Sequence, residues 1–136
     1  MKSLEALNAL TASNLMGHFS IVFVEISEAA LVALMPVDER HVQPFGRLHG
    51  GASLALAESV ASAGSWALLD NDRAAVVGSE VNASHVGTAR AGSVVTASAR
   101  LLHRGRLHHV WEVKITDEGG KPVSYCRVTN TIVIPS

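Results

Sequence analysis

Glu58 has nothing nearby to neutralise it. The residues three and four positions away, Leu54, Ala55, Ala61 and Ser62, include no base, so no salt bridge forms along a helix face. A carboxylate among small and apolar side chains faces either a pocket or a partner chain, because burying it unpaired is costly. In a pocket its chemistry is that of a base. The competing reading is a glutamate on a solvated stripe, although Ala, Ser, Gly, Leu and Val fill nearly every other position of this run and leave little polar face. Ser62, one turn on, brings a hydroxyl to the same side. It either holds a water or substrate oxygen beside the carboxylate or, like Ser53, Ser59 and Ser65, permits close packing.

A second group precedes the first. His49-Gly50-Gly51 stands where a proline-containing loop gives way to the alanine-rich run. The first N–H groups of a helix lack intrahelical partners and carry the positive end of its dipole. Glycine there lets a carbonyl oxygen approach a main-chain amide, as an oxyanion site requires; an ordinary glycine turn is the alternative. Gln43, in the loop ahead, can donate a second hydrogen bond through its amide. The seven histidines include no i, i+4 pair on a helix, and His108 and His109 alternate to opposite faces of a strand, so no catalytic metal is expected.

These residues need elements to hold them. Leu4, Ala6, Leu7 and Leu10 lie at helical spacings, which predicts a short amphipathic helix ending before Gly17. Phe19 to Ile26 and Leu31 to Met35 read as two strands of a hairpin, and Pro36 to Leu48 as an ordered loop. Ala52 to Leu69 contains no proline and is the longest helix-compatible run. Four strands follow: Ala75 to His85, Ser93 to His103, Leu107 to Thr116 and Val123 to Ile134. Alternation puts Trp111, Val113 and Ile115 on one face, with Glu112 and Lys114 on the other. An antiparallel sheet with one apolar face must cover that face, and only the long helix is large enough, so an α+β fold is expected in which the sheet wraps around it.

The 136 residues, 48% apolar, carry no repeat or linker and are expected to form one domain, 1–136, with one core. A charged fraction of 17% and a net charge of -1 exclude the basic footprint of a nucleic-acid binder. Cys126 is alone, so neither an internal disulfide nor a thiolate zinc site is available, which fits a reducing compartment. No leader-like start or membrane-length apolar run is present, and a soluble, cytoplasmic protein without membrane association is expected.

The run Gln43-Pro44-Phe45-Gly46-Arg47-Leu48-His49-Gly50-Gly51-Ala52-Ser53-Leu54-Ala55-Leu56-Ala57-Glu58 resembles the signature of hot-dog-fold thioesterases with a helix-borne glutamate. The likeness continues through Val76-Val77-Gly78-Ser79-Glu80-Val81-Asn82-Ala83-Ser84-His85, His103-Arg104-Gly105-Arg106 and Trp111-Glu112-Val113, nearly the whole chain. It is strongest to the subgroup of the 1,4-dihydroxy-2-naphthoyl-CoA and enterobactin-proofreading thioesterases. The 4-hydroxybenzoyl-CoA and phenylacetate-pathway enzymes are wider relatives. Ser84 departs from the asparagine that often precedes the histidine in that subgroup.

The resemblance implies a hydrolase of acyl-CoA or aroyl-CoA, with acylated carrier protein as a further substrate class. Glu58 attacks the thioester carbonyl or activates water, and the Gly50 amide polarises the carbonyl. Gln43 and His49 assist, Ser62 positions water, and His85 lines the acyl pocket, to which Phe45 and Val60 are also assigned. Arg90 and the Arg104-Gly105-Arg106 turn are candidates for the coenzyme A phosphates, since guanidinium forks suit phosphate oxygens; solvated surface arginines are the alternative. No cofactor is needed, coenzyme A being part of the substrate. Gly50 and Glu58 are eight positions apart, about 12 Å along a helix axis, too far to reach one carbonyl. A homodimer with antiparallel helices and shared sites is therefore expected, and the resemblance implies that two dimers pack into a homotetramer. The rivals are a hot-dog hydratase or dehydratase and a non-catalytic acyl-CoA sensor.

Overall fold

The structure, a computed structural model, describes residues 1–136. In chain order the elements are α1 (Leu4–Thr11), α2 (Leu15–His18), β1 (Val22–Ile26), β2 (Ala30–Pro36), α3 (Gly50–Leu68), β3 (Ala75–His85), β4 (Val94–Arg104), β5 (His108–Thr116) and β6 (Pro122–Val133). The strands form one six-stranded sheet in the order β1-β2-β4-β5-β6-β3, and every neighbouring pair is antiparallel. α3 carries the chain across the face of this sheet, from β2 near one edge to β3 at the other, and packs on β2 through β6.

Side chains bind backbone groups at both ends of α3. At its start the His49 Nδ1 accepts from the Gly51 N–H at 2.8 Å, which extends the helix two residues beyond the expected Ala52. At its end Lys2 Nζ donates to the carbonyls of Trp66 and Leu69 (3.0 and 2.7 Å), and Arg104 Nη2 donates to that of Leu68 (3.0 Å). Cations there also complement the negative end of the dipole. Along the sheet the expected alternation holds: Trp111, Val113 and Ile115 are buried under the helix, while Glu112 and Lys114 are exposed. Gly64 admits the indole, since a Cβ there would lie 2.7 Å from Trp111 Cη2.

The opening segment differs from expectation. It forms two helices, with Gly17 inside the second, and Phe19 caps α2 through its N–H to the Leu15 carbonyl, so β1 starts only at Val22. β4 runs on through Arg104 and narrows the following turn. The sheet's two edges are treated unlike each other. α1 covers β1, where the Asn8 side chain donates to the Phe23 carbonyl (3.0 Å) and accepts its N–H (2.9 Å). β3, 11 residues long, has β6 on one side and no strand on the other. No helix is long and apolar enough to cross a membrane.

Candidate active site

Most of α3 is buried against its own sheet. Gly51, Leu54, Ala55, Glu58, Ser62 and Trp66 are the exposed or half-buried positions beyond its first residue, and their helical spacing makes them one open stripe. Both groups singled out in the sequence lie on or beside this stripe.

At its N-terminal end Gln43, Gly50 and His85 share a cleft of about 300 Å³ with Arg47, Ser53 and Thr88. The Gln43 Oε1 accepts from the N–H groups of Phe45 (2.6 Å) and Arg47 (3.3 Å). Those bonds use the carbonyl side of the amide and leave its NH2 as donor. Gly46, at φ +77°, makes this turn possible. The Gly50 N–H begins the helix and donates to no group of the chain. A Cβ on Gly50 would lie 2.8 Å from His85 Nε2, so the glycine lets the imidazole close on the helix start. His85 is held through Nδ1 by Ser124 Oγ at 3.0 Å. His49 is exposed and spends its Nδ1 on the cap, which leaves Nε2 as a donor.

Two turns further on, the Glu58 carboxylate lies over Gly78 of β3: a Cβ there would be 2.8 Å from Glu58 Cδ and 2.9 Å from Oε1. The strand is bulged at this point, with Gly78 opposite Asn130, Glu80 opposite Thr129, and Ser79 between. Bulges often stand beside reactive groups because they re-aim a side chain. Glu58 is exposed and takes no part in the chain's ion pairs. Beside it Ser62 Oγ donates to Asn130 Oδ1 at 3.3 Å.

Gly78, Ser124 and Asn130 were not among the residues expected at the site. A glycine within a strand pattern signals a close approach, but the approaching group is 20 positions away in sequence. Phe45 is 85% exposed, and Val60, at 0%, belongs to the core of its own chain and lines no open pocket. Arg90 pairs by backbone with Arg47 of the cleft. Arg104, Gly105 and Arg106 lie instead at the β4–β5 turn, where Arg104 holds the end of α3. Burial pushes the Cys126 thiol up, which disfavours thiolate chemistry there.

A six-stranded antiparallel sheet wrapped around one long helix, with a cleft at the helix start and a carboxylate on its open stripe, is a hot-dog fold. The chain belongs to the thioesterase superfamily, whose family model matches residues 45–124. It is 44% identical to the 1,4-dihydroxy-2-naphthoyl-CoA hydrolase of Escherichia coli, over 96% of this chain and 95% of that one. It is 40% identical to the proofreading thioesterase EntH of Klebsiella pneumoniae, over 96% and 94% respectively. Among solved structures, a mutant of thioesterase PA1618 from Pseudomonas aeruginosa superposes with a TM-score of 0.92 at 41% identity, covering 98% of this chain and 95% of that one. The chain is a thioester hydrolase.

Proposed function

We propose that this enzyme hydrolyses aroyl- or acyl-coenzyme A at sites shared between two subunits, with Glu58 of one chain serving a carbonyl polarised by Gln43 and Gly50 of the other. The observation that carries this reading is the separation of the two groups. Both lie along one stripe of α3, yet about 12 Å apart by helical rise, so within one chain they do not meet. Two α3 helices running antiparallel across a two-fold axis would bring the start of each beside the middle of the other. The open edge of β3 next to that stripe is a surface such a pairing would cover.

In this arrangement the Gly50 N–H and the Gln43 amide donate to the carbonyl oxygen, where negative charge grows in the transition state. Glu58 takes a proton from water as the water oxygen bonds to the carbonyl carbon. The tetrahedral intermediate collapses with cleavage of the C–S bond, and the Glu58 acid returns its proton to the departing thiolate. Ser62, beside the carboxylate, favours water activation over direct attack by Glu58. His49 assists at the rim through Nε2, and His85 and the partner's stripe border the acyl group, with Phe45 an exposed apolar side chain available to the second subunit. Arg90 is the phosphate partner favoured within one chain, since it adjoins the cleft while Arg104 is already engaged; Arg106 and Gly105 would contribute from a neighbouring subunit. Aroyl groups are the first expectation because the 44%-identical relative is named for a naphthoyl thioester.

Thiol release from a panel of benzoyl-, naphthoyl-, short- and long-chain acyl-CoAs and acylated carrier proteins tests the substrate class, with the aroyl-CoAs expected to turn over fastest. Co-expression of Gln43→Ala and Glu58→Gln chains tests the shared site. A heterodimer then has one doubly damaged site and one intact site, so random pairing restores up to about a quarter of wild-type activity. No recovery in a mixture shown by mass spectrometry to contain heterodimers refutes sharing. Sedimentation reads the expected dimer of dimers.

A further inference from the structure

Beneath Glu58 and Ser62 a row of residues crosses the sheet, Gly78 in β3, Asn130 in β6 and His109 in β5, each opposite the next. Asn130 is fully buried, between apolar Val128 and Ile132 on the same face of its strand. Its Nδ2 lies 3.0 Å from Ser65 Oγ, which also receives the Trp111 Nε1–H at 2.8 Å and lies 2.9 Å from His109 Nδ1. A hydroxyl has one hydrogen and two lone pairs. With the indole and the amide NH2 both donating to Ser65, the Ser65 hydrogen goes to His109 Nδ1, which places the imidazole hydrogen on Nε2. The opposite polarity would require a hydrogen on Nδ1. Burial lowers the basicity of His109, and Arg104 and His103 add to the effect, which keeps the ring neutral, the state in which Nδ1 can accept. Asn130 then presents Oδ1 to Ser62, and a carbonyl oxygen only accepts, so Ser62 must donate.

We propose that Asn130 is a positioning residue for hydrolysis: it takes the hydrogen of Ser62 and thereby turns the lone pairs of that hydroxyl toward the water activated by Glu58. The inference rests on the reading of Glu58 as the base. A water that gives one hydrogen to Ser62 Oγ and the other to the carboxylate keeps a lone pair for the thioester carbon. The proton accepted by Glu58 goes on to the leaving thiolate, and the bond to Ser62 is never broken. An apolar residue at position 130 would fill the same space between Val128 and Ile132, but would leave Ser62 free to turn its own hydrogen toward the water and repel it.

A double-mutant cycle on kcat separates this role from packing. Ser62→Ala should slow turnover less than Glu58→Gln does, since water partly replaces a hydroxyl. Asn130→Leu, close in volume, should lower kcat on the order of tenfold with KM unchanged, and by less than about twofold when Ser62 is already alanine, because residues acting through one another are not additive. Equal losses from Asn130→Leu in both backgrounds, or a wild-type kcat in the single variant, overturn the proposal. If circular dichroism shows that Asn130→Leu does not fold, Ser65→Ala carries the same cycle, since it releases the Asn130 amide without touching Ser62. Failure of the underlying reading is seen elsewhere: full turnover in Glu58→Gln removes the base whatever the cycle shows, and a wild-type enzyme inactive on every thioester overturns both.

Discussion

The two ends of the open stripe on α3 are built by different means. At the N-terminal end nearly every part is placed by close neighbours in sequence: Gln43 by the N–H groups of Phe45 and Arg47, the helix start by His49, the free amide by Gly50 beginning the helix. His85, Thr88 and Arg90, whose backbone pairs with Arg47, are brought from a distance. In the middle the order is reversed. No salt bridge fixes Glu58, and its neighbours are Gly78 on another element and, through Ser62, an asparagine 68 positions away. The end that holds Gln43 and Gly50 is largely a local structure, and the part that holds Glu58 is a product of strand register. Local turns preorganise donors at little cost, whereas a carboxylate without a salt bridge can be aimed only by the surface beneath it.

The largest effect that bears on this contrast is expected from Glu58→Gln, which removes the charge and little volume. Its kcat should fall about a hundredfold or more while the fold and coenzyme A binding persist, read by thiol release alongside circular dichroism. Near-normal turnover in the folded variant would mean that the middle of the stripe is not the reactive half.

Gly78→Ala asks whether register does the aiming. The added Cβ would meet Glu58 Cδ at 2.8 Å, so the carboxylate must shift. A kcat loss of about tenfold to a hundredfold is expected from misplacement of this size, with the melting temperature little changed because the site is exposed. Wild-type kcat in this variant would show that Glu58 is aimed by something other than β3.

The smallest effect is on stability, and it concerns the buried network that anchors the middle region. Burial holds the His109 imidazole below its ordinary 6.5. Below about pH 6.5 the unfolded chain therefore binds a proton that the folded one refuses. Its contribution is intact above that pH and is lost as pH falls toward the folded value. The melting temperature should drop between pH 7 and pH 5, and less steeply in His109→Gln, which does not titrate. Equal slopes in the two proteins would remove His109 from the network's energetics.

Much of this is legible in the sequence. The alternation Trp111, Val113, Ile115 against Glu112 and Lys114, the proline-free run that became α3, and the stretch from Gln43 to Glu58 are local patterns. Periodicity and capping act within a few residues, so the sequence states them directly. For the same reason Glu58 and Gly50 stand out as candidates from their own neighbours, and their separation along one helix implies that they do not meet in one chain. The sheet wrapped on a helix followed from one apolar face needing cover.

What only the tertiary structure decided is what lies beneath the helix and what the arginines do. Nothing near Glu58 in sequence says that β3 joins the sheet beyond β6 and sets a bulged glycine under the carboxylate, or that Asn130 meets Ser62 rather than solvent. Val60 was assigned to a pocket and is in the core; Arg104, a candidate for phosphate with a solvated surface role as the alternative, donates to the Leu68 carbonyl at the end of α3. These outcomes depend on strand order and register. Both are set by the packing of the whole apolar face, and a shift of one residue would reverse every side chain along a strand.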